Sequence, residues 1–157
     1  MKDILLLHGA LGAKEQFSDL NHRLSEHYNV FTFSFNGHGG RDLPDEPFSI
    51  DMFADEIITF VKANDLKQAD IFGYSMGGYA ALYAAYKQPG LFGKIFTLAT
   101  KFDWSPEIAA REIKMLDTGK IKQKVPKFAE ELASRHGPDK WENVLKKNRR
   151  NDDRTWK

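Results

Sequence analysis

Cysteine is absent from all 157 residues, which excludes disulfides, thiolate nucleophiles and zinc-thiolate centres. Net charge is nearly absent as well. The 23 basic side chains face 22 acidic ones, so there is no general electrostatic pull toward nucleic acid or an anionic membrane. Long apolar runs are missing too: only Ile4 to Leu7 are apolar before His8, whereas a secretory h-region takes about 7–15 apolar residues and a membrane span about 20. The default expectation is a cytoplasmic location with no nucleic-acid or membrane partner. Metal-ligand spacing is lacking, since His22 and His27 share one predicted helix without the H-E-x-x-H arrangement. No metal and no cofactor are expected.

What is present is the composition of an ordinary globular protein, 41% hydrophobic and 29% charged, in a length that suits one domain with a real core. Ile4-Leu5-Leu6-Leu7 is a short apolar run of the kind buried on both faces of a parallel sheet. Phe17, Leu20, Leu24 and Tyr28 recur at helical spacing from Lys14 onward, and Val30 to Phe35 is β-branched and aromatic up to Asn36-Gly37. Ser49 caps a helix whose apolar face is Ile50, Phe53, Ala54, Ile57, Ile58 and Val61. Ala69 to Phe72 reads as a third strand, Met76 to Lys87 as an Ala-rich helix ended by Pro89-Gly90, and Lys94 to Ala99 as a fourth strand.

Strands alternating with helices of this length predict an α/β fold, a parallel sheet with helices on both faces. Its working loops lie at the carboxyl ends of the strands. After Ala99 the pattern turns helical: one helix opens at Ser105-Pro106-Glu107, a second near Pro126 ends at His136-Gly137, and a third runs from Pro138 through Trp141, Val144 and Leu145. The expected organisation is a core over 1–104, a helical lid-like segment over 105–148 and a polar tail over 149–157, with fraying expected from Lys146.

Gly73-Tyr74-Ser75-Met76-Gly77 matches G-x-S-x-G, and it closes a predicted strand and opens a predicted helix. Such a turn forces the serine into a strained backbone, so small residues must flank it. Its hydroxyl then stands over a helix N-terminus, where developing negative charge is favoured. The competing account is a glycine-rich turn with a passenger serine. His8-Gly9-Ala10-Leu11-Gly12 follows the first strand. That loop is placed to supply one backbone donor of an oxyanion hole, from Ala10, with the second from Met76 after the nucleophile. His8 is read as a residue that orders the loop, and the competing account is a plain β-to-α turn. Asn36-Gly37-His38-Gly39-Gly40-Arg41 fails the dinucleotide pattern because Asp42 stands where the third glycine belongs; His38 is read as structural.

These three motifs, in this order and on these elements, resemble the α/β-hydrolase superfamily, nearest to small esterases, C–C-bond hydrolases and menaquinone-pathway enzymes. The resemblance covers about Asp3 to Asp103, and the helices beyond resemble a lid. It implies a serine hydrolase acting on a carboxylic ester, thioester or related acyl substrate, with Ser75 as nucleophile and Gly9, Gly73 and Gly77 shaping the turns. It disfavours dehalogenase and epoxide hydrolase chemistry, whose enzymes carry aspartate where Ser75 stands. In the family an acid and then a histidine follow the nucleophile on loops after further strands. By that measure the chain resembles a C-terminally truncated member. Asp103, after the fourth strand, is where some relatives keep the acid. The only histidine beyond Ser75 is His136, at a helix end with no strand to position it.

Two consequences are expected. Without a triad histidine, activity is impaired by orders of magnitude, and a non-catalytic ligand-binding module is the alternative reading. The strand over 94–99 is left as an apolar edge open to self-association. The basic cluster Lys146 to Arg150 could suggest nucleic-acid binding, but Asp152-Asp153 dilute it at once.

Overall fold

The computed structural model describes residues 1–154, with side chains described through 149. Four strands form one parallel sheet: β1 (Lys2–Leu7), β2 (Tyr28–Thr32), β3 (Asp70–Tyr74) and β4 (Ile95–Leu98), in the order β2-β1-β3-β4. Seven α-helices accompany it among the described residues: α1 (Ser18–Leu24), α2 (Ile50–Ala63), α3 (Met76–Lys87), α4 (Pro106–Met115), α5 (Thr118–Lys124), α6 (Pro126–His136) and α7 (Trp141–Arg154). None is long and apolar enough to cross a membrane.

The alternation of side chains along β1 and β3 sets the layers. Leu5, Leu7 and Ile71 face α2 and α3, where Phe53, Ile57, Val61, Ala80, Ala81 and Ala84 are fully buried. The small residues of α3 let that helix lie close to the sheet. On the opposite face Phe17 meets Phe72 edge-on at 5.9 Å, so the segment before α1 covers part of that side. Phe96 and Leu98 of edge strand β4 are not covered, at 62% and 50% exposure. Ile121, Leu132, Trp141, Val144 and Leu145 from α5, α6 and α7 join the same apolar cluster as Leu5 and Phe35.

Local structure departs from the sequence reading in four places. The helix expected from Lys14 to Tyr28 splits into a 3-10 turn over Lys14–Phe17 and the short α1, and Tyr28 instead opens β2 by pairing with Lys2. Strand β2 stops at Thr32 rather than Phe35, because the next backbone groups take side-chain partners: the Ser34 carbonyl accepts from Arg41 Nη1, and Phe35 N–H donates to His8 Nε2. Helix α5 was not anticipated; the Asp117 side chain caps it by accepting from Lys120 N–H at 2.8 Å. Helix α7 begins at Trp141 rather than Pro138 and continues to Arg154, past the point where polar composition predicted fraying. Its buried stripe of Val144, Leu145 and Asn148 holds it to the core, and Lys147 Nζ donates to the carbonyls of Pro44 and Glu46. Residues 155–157 of the expected tail lie outside the described residues.

Candidate active site

Ser75 sits between the last residue of β3 and the first of α3, with φ 51° and ψ −118°. A positive φ is costly for a residue with a Cβ and persists only where the surroundings enforce it. Here four hydrogen bonds do so: Ser75 N–H donates to Leu98 O, and Ser75 O accepts from Gly78 N–H, Tyr79 N–H and the Thr100 hydroxyl. The glycines around the bend follow from backbone approach. A Cβ on Gly73 would lie 2.4 Å from Gly78 Cα, and one on Gly77 would lie 2.5 Å from Leu7 O. Gly9 lets the next loop close in, since a Cβ there would come within 3.0 Å of Ser75 Cβ.

A cavity of about 350 Å³ opens over Ser75, walled by Ala10, Leu11, Met76, Tyr79, Ala99 and Trp104 among others. Five non-glycine residues have positive φ among the described residues, and three of them (Leu11 at 60°, Ser75 at 51° and Ala99 at 56°) line this one cavity. Each follows a different strand. Strained backbone of this kind clusters at functional sites, and here it gathers at the carboxyl ends of neighbouring strands, where the working loops of such sheets lie.

The orientation of Ala10 N–H is fixed by its own peptide unit. Gly9 O accepts from His8 Nδ1 at 2.7 Å and from Gly12 N–H at 3.0 Å. Across a trans peptide the carbonyl and the following N–H point in opposite directions, so Ala10 N–H is turned away from His8, and Ala10 lies on the cavity wall. Met76 N–H is the first amide of α3, at the positive end of the helix.

Three histidines form a buried cluster beside this loop. His8 and His38 rings lie 5.2 Å apart, and His38 and His136 rings 5.7 Å apart. Each ring has one nitrogen facing an oxygen and the other facing an N–H, which assigns a neutral tautomer. In His8 Nδ1 donates to Gly9 O and Nε2 accepts from Phe35 N–H. In His38 Nδ1 donates to Asn36 O and Nε2 accepts from the Asn148 amide at 3.1 Å. In His136 Nε2 donates to Leu11 O at 2.9 Å and Nδ1 accepts from Gly39 N–H at 3.1 Å. Burial pushes His8 down to about 4 and His38 down to about 3, against the hydrogen bonds to the Gly9 and Asn36 carbonyls, and lowers His136 in the same direction. His136 therefore has no ring nitrogen to offer Ser75. None of the three lines the cavity.

Asp103 is exposed on the loop between β4 and α4, makes no hydrogen bond or ion pair among the described residues, and is not part of the cavity wall. The charged groups that do reach the wall went unnoticed in the sequence: Lys101 and Glu112, paired at 2.5 Å, with the Lys101 ammonium 5.2 Å from the centre of the Trp104 ring. Their spacing of eleven residues carries no motif. A larger cleft of about 820 Å³ lies between the segment after β2 and α2, without Ser75. Within it Arg41 pairs with Glu56, which also accepts from Asn36 N–H, while Asp55 pairs with Lys87 outside the cleft. Among the described residues no cluster could hold a metal ion.

Comparison with known proteins agrees with this fold. The family model described as alpha/beta hydrolase fold matches residues 3–152. A pimeloyl-[acyl-carrier protein] methyl ester esterase of Neisseria meningitidis is 36% identical over 89 residues, covering 57% of this chain and 33% of that protein. Ethanol acetyltransferase 1 of Hanseniaspora uvarum is 29% identical over 107 residues, 67% of this chain and 32% of that one. The chain thus spans about a third of the length of these curated relatives. Among solved structures, NosK from Streptomyces actuosus superposes with a TM-score of 0.74 at 22% identity, covering 93% of this chain and 62% of NosK. MenH from S. aureus gives 0.73 at 18% identity, over 99% of this chain and 68% of MenH. At those identities the structural likeness speaks for the fold. With the family model spanning nearly its whole length, the chain belongs to the α/β-hydrolase fold family.

Proposed function

We propose that the protein is a serine hydrolase of this family acting on a carboxylic ester, thioester or related acyl group in a cytosolic setting. Ser75 is its nucleophile, and the N–H groups of Ala10 and Met76 hold the oxyanion. The observation that carries this reading is the strained backbone of Ser75 at the β3–α3 junction, in a cavity whose wall includes both donors. The acyl chemistry draws support from two relatives whose names specify a methyl ester esterase and an acetyltransferase. Attack by Ser75 Oγ on the acyl carbonyl carbon forms an Oγ–C bond and breaks the acyl C–O or C–S bond, the hydroxyl proton leaving with the departing alcohol or thiol. Water then cleaves the acyl-enzyme to the carboxylic acid and free Ser75. The carbonyl oxygen carries the negative charge between the two amides. Asp103 is the acid that the family order suggests, although its exposed position argues for a solvated loop carboxylate.

The general base is the weak point. With both ring nitrogens of His8, His38 and His136 engaged, no described histidine is free at the cavity. Turnover by this chain is then expected to rest on the oxyanion hole and binding alone, a residual that amounts to about 10³–10⁴ over water in serine proteases. The same observation favours a second reading, a binding module that keeps the pocket without turnover. Labelling with a fluorophosphonate distinguishes them. Covalent addition lost in Ser75→Ala supports the hydrolase. Ligand binding that persists unchanged in Ser75→Ala, with no labelling of the wild type, supports the module and removes the hydrolase reading.

A further inference from the structure

Loop 9–12 has two carbonyls that point away from the cavity, and each is held by a different part of the molecule. Gly9 O is held locally, by His8 and Gly12. Leu11 O is held from a great distance in sequence: Arg135 Nη1 donates to it at 2.7 Å and His136 Nε2 at 2.9 Å, both from the last turn of α6. Leu11 itself has φ 60°, a left-handed conformation that a branched apolar side chain does not adopt without compensation. Gly39 N–H on the far side of His136 fixes that ring, and so ties α6 to the loop after β2 as well.

We propose that Arg135 and His136 are positioning residues for the oxyanion hole: the Leu11 carbonyl they hold shares its peptide with the Gly12 N–H that bonds Gly9 O, so the clamp keeps Leu11 in its strained conformation and reinforces the Gly9–Ala10 peptide, whose N–H faces the cavity. The inference rests on the functional reading above. Neither side chain lines the cavity, so neither is a catalytic residue. Two donors on one carbonyl, one of them a guanidinium, form a charge-assisted clamp stronger than an ordinary loop contact. If Leu11 relaxes to negative φ, the turn closed by Gly12 N–H and Gly9 O loses its shape, and the Ala10 amide swings with it. The helical segment is then part of the catalytic geometry.

The test uses the full chain and compares Arg135→Ala and Arg135→Lys with wild type. Arg135 is only partly buried, so its replacement leaves the core intact. His136→Gln, which keeps one amide donor and one acceptor, probes the second contact. Saturation labelling with an alkyl fluorophosphonate separates reversible affinity from the covalent step. Removing an oxyanion donor outright costs about 10²–10³ in rate. Misdirecting one is expected to slow the covalent step about tenfold in Arg135→Ala, with the affinity constant within twofold of wild type, and Arg135→Lys recovers part of the loss. In parallel, ¹⁵N relaxation of the Ala10, Leu11 and Gly12 amides should fall from rigid values near 0.85 to below about 0.6 in Arg135→Ala. An unchanged covalent rate in Arg135→Ala overturns the proposal, as do unchanged order parameters. If the wild type does not label at all, the hydrolase reading fails by itself, and the amide relaxation alone decides whether the clamp exists.

Discussion

Lowering the pH from 7 to 4.5 is the perturbation to which this fold is most exposed, because His8 and His38 are fully buried in their neutral forms. In the folded state His8 is lowered to about 4 and His38 to about 3, each from 6.5. Between those values and 6.5 the unfolded chain binds more protons than the folded one, so stability rises with pH across the window and falls as acid is added. It is complete above about pH 6.5 and is lost as the pH drops toward the folded values. At pH 4.5 each histidine has withdrawn about 2.5 kcal/mol, roughly 5 kcal/mol for the pair. A domain of this size holds about 5–15 kcal/mol in all, so the loss is enough to unfold a protein at the low end.

Competing groups separate cleanly in pH. Asp70, Glu107 and Glu142 are held below their ordinary values by hydrogen bonds from Lys2 and the Lys94 backbone, from Ser105, and from Lys122, although partial burial opposes this at Asp70. Their contributions are therefore lost only below about pH 4.5. Glu56 acts in the opposite sense. Burial pushes its carboxyl up, so protonating it favours the fold and offsets part of the histidine loss. Urea unfolding followed by circular dichroism at pH 7.0 and 4.5 measures the net effect. The expected difference is several kcal/mol, reduced by about half in His38→Gln. A difference under about 1 kcal/mol in the wild type would show that the cluster does not hold its rings neutral, and the tautomer assignments would fall with it.

Two further outcomes are expected. Ser75→Gly should raise the melting temperature relative to Ser75→Ala by roughly 3 °C, or about 1 kcal/mol, because only glycine relieves the φ of 51°. Equal melting temperatures would mean that the bend is not strained. Phe96→Lys, on edge strand β4 and 62% exposed, should raise the monomer fraction seen by light scattering at high concentration, since a charge blunts an open edge. An unaltered mass distribution would remove this edge as a route to self-association.

The elements around Ser75 were legible because short-range pattern specifies them. The short strand Ala69 to Phe72, a glycine-flanked serine and an Ala-rich helix follow one another without a gap, and the steric need at Gly73 is local: a Cβ there would lie 2.4 Å from Gly78 Cα. The end of β2 was not legible. Val30 to Phe35 is β-branched and aromatic, but beyond Thr32 propensity was overridden by His8, which accepts from Phe35 N–H and which no window around residue 33 contains. Helix α7 was misread for a related reason. Past Leu145 its sequence is polar throughout, and what extends the hold of Trp141, Val144 and Leu145 on the core is Asn148, a buried polar residue whose amide donates to His38, 110 positions earlier.

The same distinction explains why the candidate site was found while its supports were missed. The proposed nucleophile and oxyanion donors lie on turns whose shape is dictated by glycine and by the residue's own φ, and such demands are written into adjacent letters. The groups holding those turns in place are Arg135 and His136, bonded to a carbonyl more than 120 residues away, and Thr100 and Leu98, bonded to the backbone of Ser75. A single sequence contains no record of which carbonyl a distant guanidinium will meet. It does contain a trace of the consequence. Leu11, Ser75 and Ala99 are ordinary side chains in left-handed conformations, and each needs an external constraint of the kind these distant donors provide. Wherever a strained position is forced by motif alone, the search for its support should begin at the carbonyl of that residue. At Leu11 and at Ser75 that carbonyl is where the long-range donors are found.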